Sequence, residues 1–124
     1  MLYSIDKNEY IREIPYAENY QRWRSRLTEV EYEAIVVELN GLLNGDEIVT
    51  SSWIPGNDWS NTVYDPIYQK SCDQNPNESG MCFGLFLWVV IQSHPEVWAF
   101  GRYEKDGIPI NGLTYFRIDN PPAI

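Results

Sequence analysis

Eleven consecutive residues, Met81 to Ile91, carry no charge and no strongly polar side chain. The rest of the chain must enclose such a segment, so it constrains every other element. Periodicity does not separate a buried helix from a buried strand in a run this uniform. Phe83, Phe86, Trp88, Val89 and Val90 favour a strand by intrinsic preference. The flanks favour a helix. Asn75 stands where an N-cap would accept from the first turn, Pro76 takes the first helical position, and Glu78 takes the third. Pro95 drives His94 out of the helical region. These signals predict a buried central helix over about 76–93. Gly80 and Gly84 then fall one turn apart on one face. Each costs up to ~1 kcal/mol relative to alanine, a loss that close packing of another element is expected to compensate. The run is shorter than the ~20 apolar residues a membrane span needs, so no membrane partner is expected.

Other segments have their own punctuation. Tyr10–Ile14 is a candidate short strand stopped by Pro15. A helical pattern starts at Ala17, with Tyr16, Tyr20, Trp23 and Leu27 on one face. Thr28-Glu29-Val30-Glu31 is a capping box. The helix after it runs to about Leu43, with Val30, Ala34, Ile35, Val37, Leu39, Leu42 and Leu43 on a broad apolar side. Asn44-Gly45 ends it through a left-handed residue. Residues 47–53 read as a strand, closed by the turn Pro55-Gly56-Asn57-Asp58. Asp65-Pro66 opens a short helix through Ser71. Asp106-Gly107 signals a two-residue hairpin that sets Tyr103 opposite Ile110, Phe100 opposite Leu113 and Trp98 opposite Tyr115. Pro109 and Gly112 disturb that ladder, so a wider loop over 105–112 is the competing register.

The fold class expected is α+β. Residues 1–124 form a single compact domain, with two or three helices packed on a small antiparallel sheet (strands 47–53, 97–104 and 113–118) that ends in a C-terminal β-hairpin. At 124 residues such a domain buries about two-thirds of its unfolded surface, so no disulfide, metal or cofactor is required for folding. The first residues lack a basic region followed by an apolar one, so no secretory signal is expected. Cys72 and Cys82 then read as free thiols of a cytoplasmic protein.

The formal charge of −9 is concentrated in one segment. Residues 28–80 hold ten acidic side chains against Lys70 alone. Such a surface repels phosphates and anionic lipid, which speaks against direct nucleic-acid binding. It attracts a protein with a basic surface. Aromatic side chains interleave with the charge, and Trp53, Asp58, Trp59, Tyr64, Asp65 and Tyr68 are the candidate protein-binding residues. The leading expectation is an acidic binding module of inhibitor or immunity type. The bland alternative is an acidity that only solubilises, on a structural or homo-oligomerising domain, with the aromatic side chains covering the core.

Catalytic signals are sparse. Cys72, His94 and Asp65 supply the residue types of a thiol triad, and Cys72 in a polar loop is the better nucleophile of the two cysteines. His94 at a helix end reads more simply as a charge favoured by the helix dipole. Arg22, Arg24 and Arg26, the one basic cluster, are expected to pair with neighbouring carboxylates. No metal-ligand spacing and no phosphate-binding glycine loop is present.

Overall fold

A computed structural model describes residues 1–56 and 58–123. The element order is β1 (Leu2–Ser4), β2 (Glu9–Ile11), α1 (Ala17–Ser25), α2 (Glu29–Gly45), β3 (Ile48–Thr50), a 3-10 turn (Ser51–Trp53), a π-helical turn (Ile67–Ser71), α3 (Pro76–Ser93), β4 (Trp98–Gly101), β5 (Glu104–Lys105), β6 (Ile108–Pro109) and β7 (Thr114–Arg117). The class is α+β, as the sequence indicates. Asn57, the third residue of the expected 55–58 turn, lies outside the described residues.

The central helix takes the ends its flanks dictate. Asn75 Oδ1 accepts from the Glu78 N–H at 3.0 Å, Pro76 opens the first turn, and His94 is extended, with ψ 141°. Cys82, Phe83, Phe86, Leu87, Val90 and Ile91 are buried. Tyr20 and Tyr32 set their rings edge-on to Phe86, with centroids at 5.7 and 5.3 Å, and share a hydroxyl–hydroxyl hydrogen bond of 2.8 Å. Burial and that hydrogen bond push the Tyr32 phenol well above its usual range. The complete enclosure expected of α3 does not occur. Gly80 and Met81 are exposed, and Gly84, Leu85 and Trp88 are half-buried.

α2 starts on the expected box. Thr28 Oγ1 accepts from Glu31 N–H at 3.1 Å, and Glu31 Oε1 accepts from Thr28 N–H at 2.9 Å. Those bonds and the Lys70 ammonium 2.8 Å away hold the Glu31 carboxyl below its ordinary value. The buried face is narrower than expected. Tyr32, Ile35, Leu39 and Leu43 are buried, whereas Val30 and Val37 are 80% and 61% exposed, because the 3.6-residue turn carries them off the stripe facing α3. The helix also runs through Gly45 and ends in extended Asp46, with no left-handed residue. In the arginine cluster only Arg24 approaches a carboxylate among the described residues, Glu29 at 3.9 Å, while it stacks on Tyr32 at 4.2 Å. Arg26 instead donates to the Ser71 carbonyl at 2.6 Å, and Arg22 lies over Trp23.

The main sheet has the order β2-β1-β4-β7-β3. It is mixed where the sequence suggested an antiparallel sheet. β1 pairs parallel with β4, Leu2 beside Trp98 and Tyr3 beside Ala99. A parallel pair needs a long crossover, and here the three α-helices supply it. The chain's first strand escaped prediction because three residues carry no usable period. Its amino end is fixed by the Met1 ammonium, which donates to the carbonyls of Ile91 (2.9 Å), Glu96 (2.8 Å) and His94.

The C-terminal hairpin keeps the tight-turn register only next to the turn, and the wider loop over 105–112 does not form, since Lys105 pairs with Ile108. Asp106 and Gly107 both have positive φ (55° and 80°) and close a tight turn between β5 and β6. Ile110 N–H donates to Tyr103 O at 2.8 Å, as that turn requires. Beyond it Gly112, at φ 86°, leads two more residues into a loop, so Phe100 meets Tyr115 and Trp98 meets Arg117.

His94 is buried, contrary to the expectation of a charged cap. Its Nδ1 accepts from Glu96 N–H at 3.1 Å and its Nε2 lies 3.0 Å from Asn44 Oδ1, an arrangement that suits a neutral ring protonated on Nε2. Burial lowers its pKa, with the nearby Met1 ammonium and Arg117 adding to the effect and Glu96 opposing it. The unfolded chain therefore takes up a proton that the folded ring resists. Stability falls as pH drops below about 6.5, and levels off once the folded ring also protonates. Thermal melts between pH 7.5 and 5 should show this slope in wild type and a flatter one in His94→Gln.

Candidate functional site

The uncovered face of α3 forms the floor of an open cleft of about 1260 Å³. Gly80 and Gly84 lie on that floor. A Cβ built on either would meet nothing within 4 Å. The packing that should compensate these glycines is not supplied by this chain among the described residues.

Part of the lining comes from Ser51, Ser52, Pro55, Gly56, Asp58, Trp59 and Ser60. Trp59 stands against the core, with its ring edge-on to Phe83 at 6.1 Å and its Nε1–H donating to the Gly56 carbonyl at 3.1 Å. Asp58 caps the turn beside it by accepting from Ser60 N–H at 3.0 Å, which holds this fully exposed carboxyl below its ordinary value. Asp65, Tyr68 and Gln69, from the π-helical turn and its start, continue the lining. That turn is anchored from beneath, since Ser71 Oγ donates to the Trp23 carbonyl at 2.8 Å.

Another part is built from Tyr16, Asn19, Leu85 and Trp88. Trp88 Nε1–H donates to the Glu13 carbonyl at 3.2 Å and its ring meets Phe100 at 5.0 Å. Tyr16 precedes α1 in the left-handed region (φ 53°, ψ 46°), with its side chain 76% exposed. A bulky residue held there is strained by about 1 kcal/mol or more. The lining also holds Arg102, Gly112, Leu113 and Tyr115. Leu113 N–H donates to Ser51 Oγ at 3.2 Å, which ties these residues to the first part.

Of the residues singled out from sequence, Asp58, Trp59, Asp65 and Tyr68 belong to the cleft lining. The structure separates the other two. Tyr64 is buried against Phe83, ring centroids 5.2 Å apart, and its phenol is pushed up to about 12 by burial. Trp53 is exposed outside the cleft lining, with the Lys105 ammonium 5.7 Å from its ring centroid. Sequence reasoning missed Tyr16, Trp23, Trp88, Arg102 and Tyr115, which reach the cleft from four separate segments. The readable signal was the Gly80–Gly84 spacing, which marked the correct face of α3.

The thiol arrangement is not assembled. Cys72 precedes α3 and His94 ends it, so about 27 Å of helix lies between them at ~1.5 Å per residue. His94 contacts Asn44 and Glu96 instead. Cys72 is buried rather than set in an open loop, because the segment leading into α3 folds under the π-helical turn. The Cys82 thiol neighbours it. The Cys82 S–H lowers the Cys72 pKa, and burial raises that of Cys82. Among the described residues no group of three or more His, Cys, Asp and Glu side chains is placed to hold a metal, and no helix is long and apolar enough to cross a membrane. No protein-family model, characterised protein or solved structure matches the chain.

Proposed function

We propose that this chain is a protein-binding module whose partner presents a basic surface, with the α3 cleft as the seat of binding. The observation that carries the reading is the cleft lining itself. Asp58, Trp59, Asp65 and Tyr68 all belong to the cleft lining, together with Gly80 and Gly84, whose missing side chains leave open space. Aromatic side chains held by the core supply affinity at low entropic cost, and carboxylates of the 28–80 segment speed encounter with a cationic surface. The exposed glutamates of α2 contribute to that long-range field without lining the cleft. An inhibitor or immunity role, in which the module occupies a basic functional surface of another protein, is the specific form this reading takes.

The test is capture of partners from the native extract by the immobilised chain at about 50 and 300 mM salt, beside Trp59→Ala. A basic partner held at low salt, released at high salt and weakened at least tenfold by Trp59→Ala is the expected result. Capture that ignores salt, or no partner at either salt, overturns the reading.

A further inference from the structure

We propose that the cleft takes an extended peptide segment carrying an arginine, its main chain laid along the Gly80–Gly84 floor and its guanidinium at the Asp58 and Asp65 carboxylates; this identification of the occupant rests on the binding-module reading. Three independent features of the cleft converge on it.

The floor has room for a backbone. With no side chain at Gly80 or Gly84 and nothing within 4 Å of either missing Cβ, an incoming main chain approaches α3 more closely than at any larger residue. The lining has unspent charge. Asp58 and Asp65 form no ion pair among the described residues, and Trp59 and Tyr68 belong to the same lining. A guanidinium satisfies both parts of such a lining, because its planar fork matches carboxylates and its face stacks on an aromatic ring. A lysine supplies the charge without the fork or the face.

The third feature is a pair of donors without acceptors among the described residues. Trp23 and Tyr115 are 2% and 1% exposed and both line the cleft. The Trp23 indole N–H and the Tyr115 hydroxyl make no hydrogen bond among the described residues, and both residues belong to the cleft lining. Neutral donors on an otherwise dry surface call for neutral acceptors, and peptide carbonyls are the acceptors an extended segment offers in series. An apolar helix would leave both donors unsatisfied, and an anionic ligand would face the two aspartates. Arg102 lies near Tyr115, so the same lining carries a cation beside Tyr115 as well as the carboxylates of Asp58 and Asp65.

The experiment titrates the full-length labelled chain with the blocked peptide acetyl-Gly-Gly-Arg-Gly-Gly-amide and with its lysine and citrulline counterparts, following the five indole N–H signals. Saturable shifts of the Trp23 and Trp59 signals by the arginine peptide are expected, with the lysine peptide weaker and the uncharged citrulline peptide at least tenfold weaker. Asp58→Asn with Asp65→Asn should cost tenfold or more, and Gly84→Leu should abolish binding. Gly41→Ala is the control, because Gly41 is an equally open glycine of α2 outside the cleft. Circular dichroism establishes that each variant is folded, and Gly84→Ala replaces Gly84→Leu if the latter is not. Shifts that never saturate, equal binding of the citrulline peptide, or unchanged binding by a folded Gly84 variant overturn the proposal. The broader reading fails separately. A salt-released partner captured equally by wild type and the Gly84 variant leaves the module intact and removes the peptide from the cleft. Saturable arginine binding without any salt-dependent partner does the reverse.

Discussion

Phe86→Ala should lower stability by about 3–5 kcal/mol, the range for emptying an aromatic site in a packed core. Phe86 is 1% exposed and sits at the middle of α3, where α1 and α2 meet it through Tyr20 and Tyr32. Truncation removes the ring both tyrosines lean on and leaves their paired hydroxyls beside a void, so the site cannot collapse without breaking the 2.8 Å bond. Small domains are stable by only about 5–15 kcal/mol in total, so the variant loses a large share of the whole. At about 4 °C per kcal/mol for a domain of this size, the melting temperature falls by about 12–20 °C. A loss below 1 kcal/mol in denaturant unfolding would mean that Phe86 is not the keystone of the helical layer.

The second large effect is expected at Gly112. Its φ of 86° is a conformation that side-chain-bearing residues rarely adopt, and a Cβ there would lie 2.5 Å from Ser51 Oγ. Ser51 cannot swing away freely, because the same oxygen accepts from Leu113 N–H and the Ser51 N–H donates to the Leu113 carbonyl at 2.9 Å. Gly112→Ala should therefore cost about 2 kcal/mol, from backbone strain and the lost tie together. Gly84, on the floor of the same cleft, behaves oppositely. It is helical and unobstructed, so alanine there should stabilise the fold by up to ~1 kcal/mol. Urea unfolding of the two variants side by side separates a glycine the fold needs from one it merely tolerates. Destabilisation by Gly84→Ala would show that the floor is already occupied.

These contrasts show where the sequence was legible. Helix boundaries were, because Thr28 with Glu31, Asn75 with Pro76, and Pro95 act through local bonds and local sterics. Burial in the loops was not. Tyr64 and Cys72 lie in polar surroundings in sequence and deep in the protein in space, since long-range packing overrides local character. The cleft was partly readable. Asp58, Trp59, Asp65 and Tyr68 cluster within eleven residues and end in its lining, whereas Tyr16, Trp88 and Arg102 arrive only once the chain has folded back on itself. The parallel sheet pairing was hidden for the same reason. Leu2 finds its neighbour 96 positions further along, beyond the reach of any pattern in a window.

That pairing also orders events in time. Translation at about 5–20 residues per second leaves Leu2 and Tyr3 without their β4 neighbours for roughly 5–20 s after they are made. Through that interval an apolar strand edge is open to other chains, an aggregation hazard. The β1–β2 hairpin limits it, because Glu9, Tyr10 and Ile11 are made within about 2 s and occupy the other edge. The nascent chain thus guards one side of its future central sheet locally and leaves the other for the last fifth of the sequence to close.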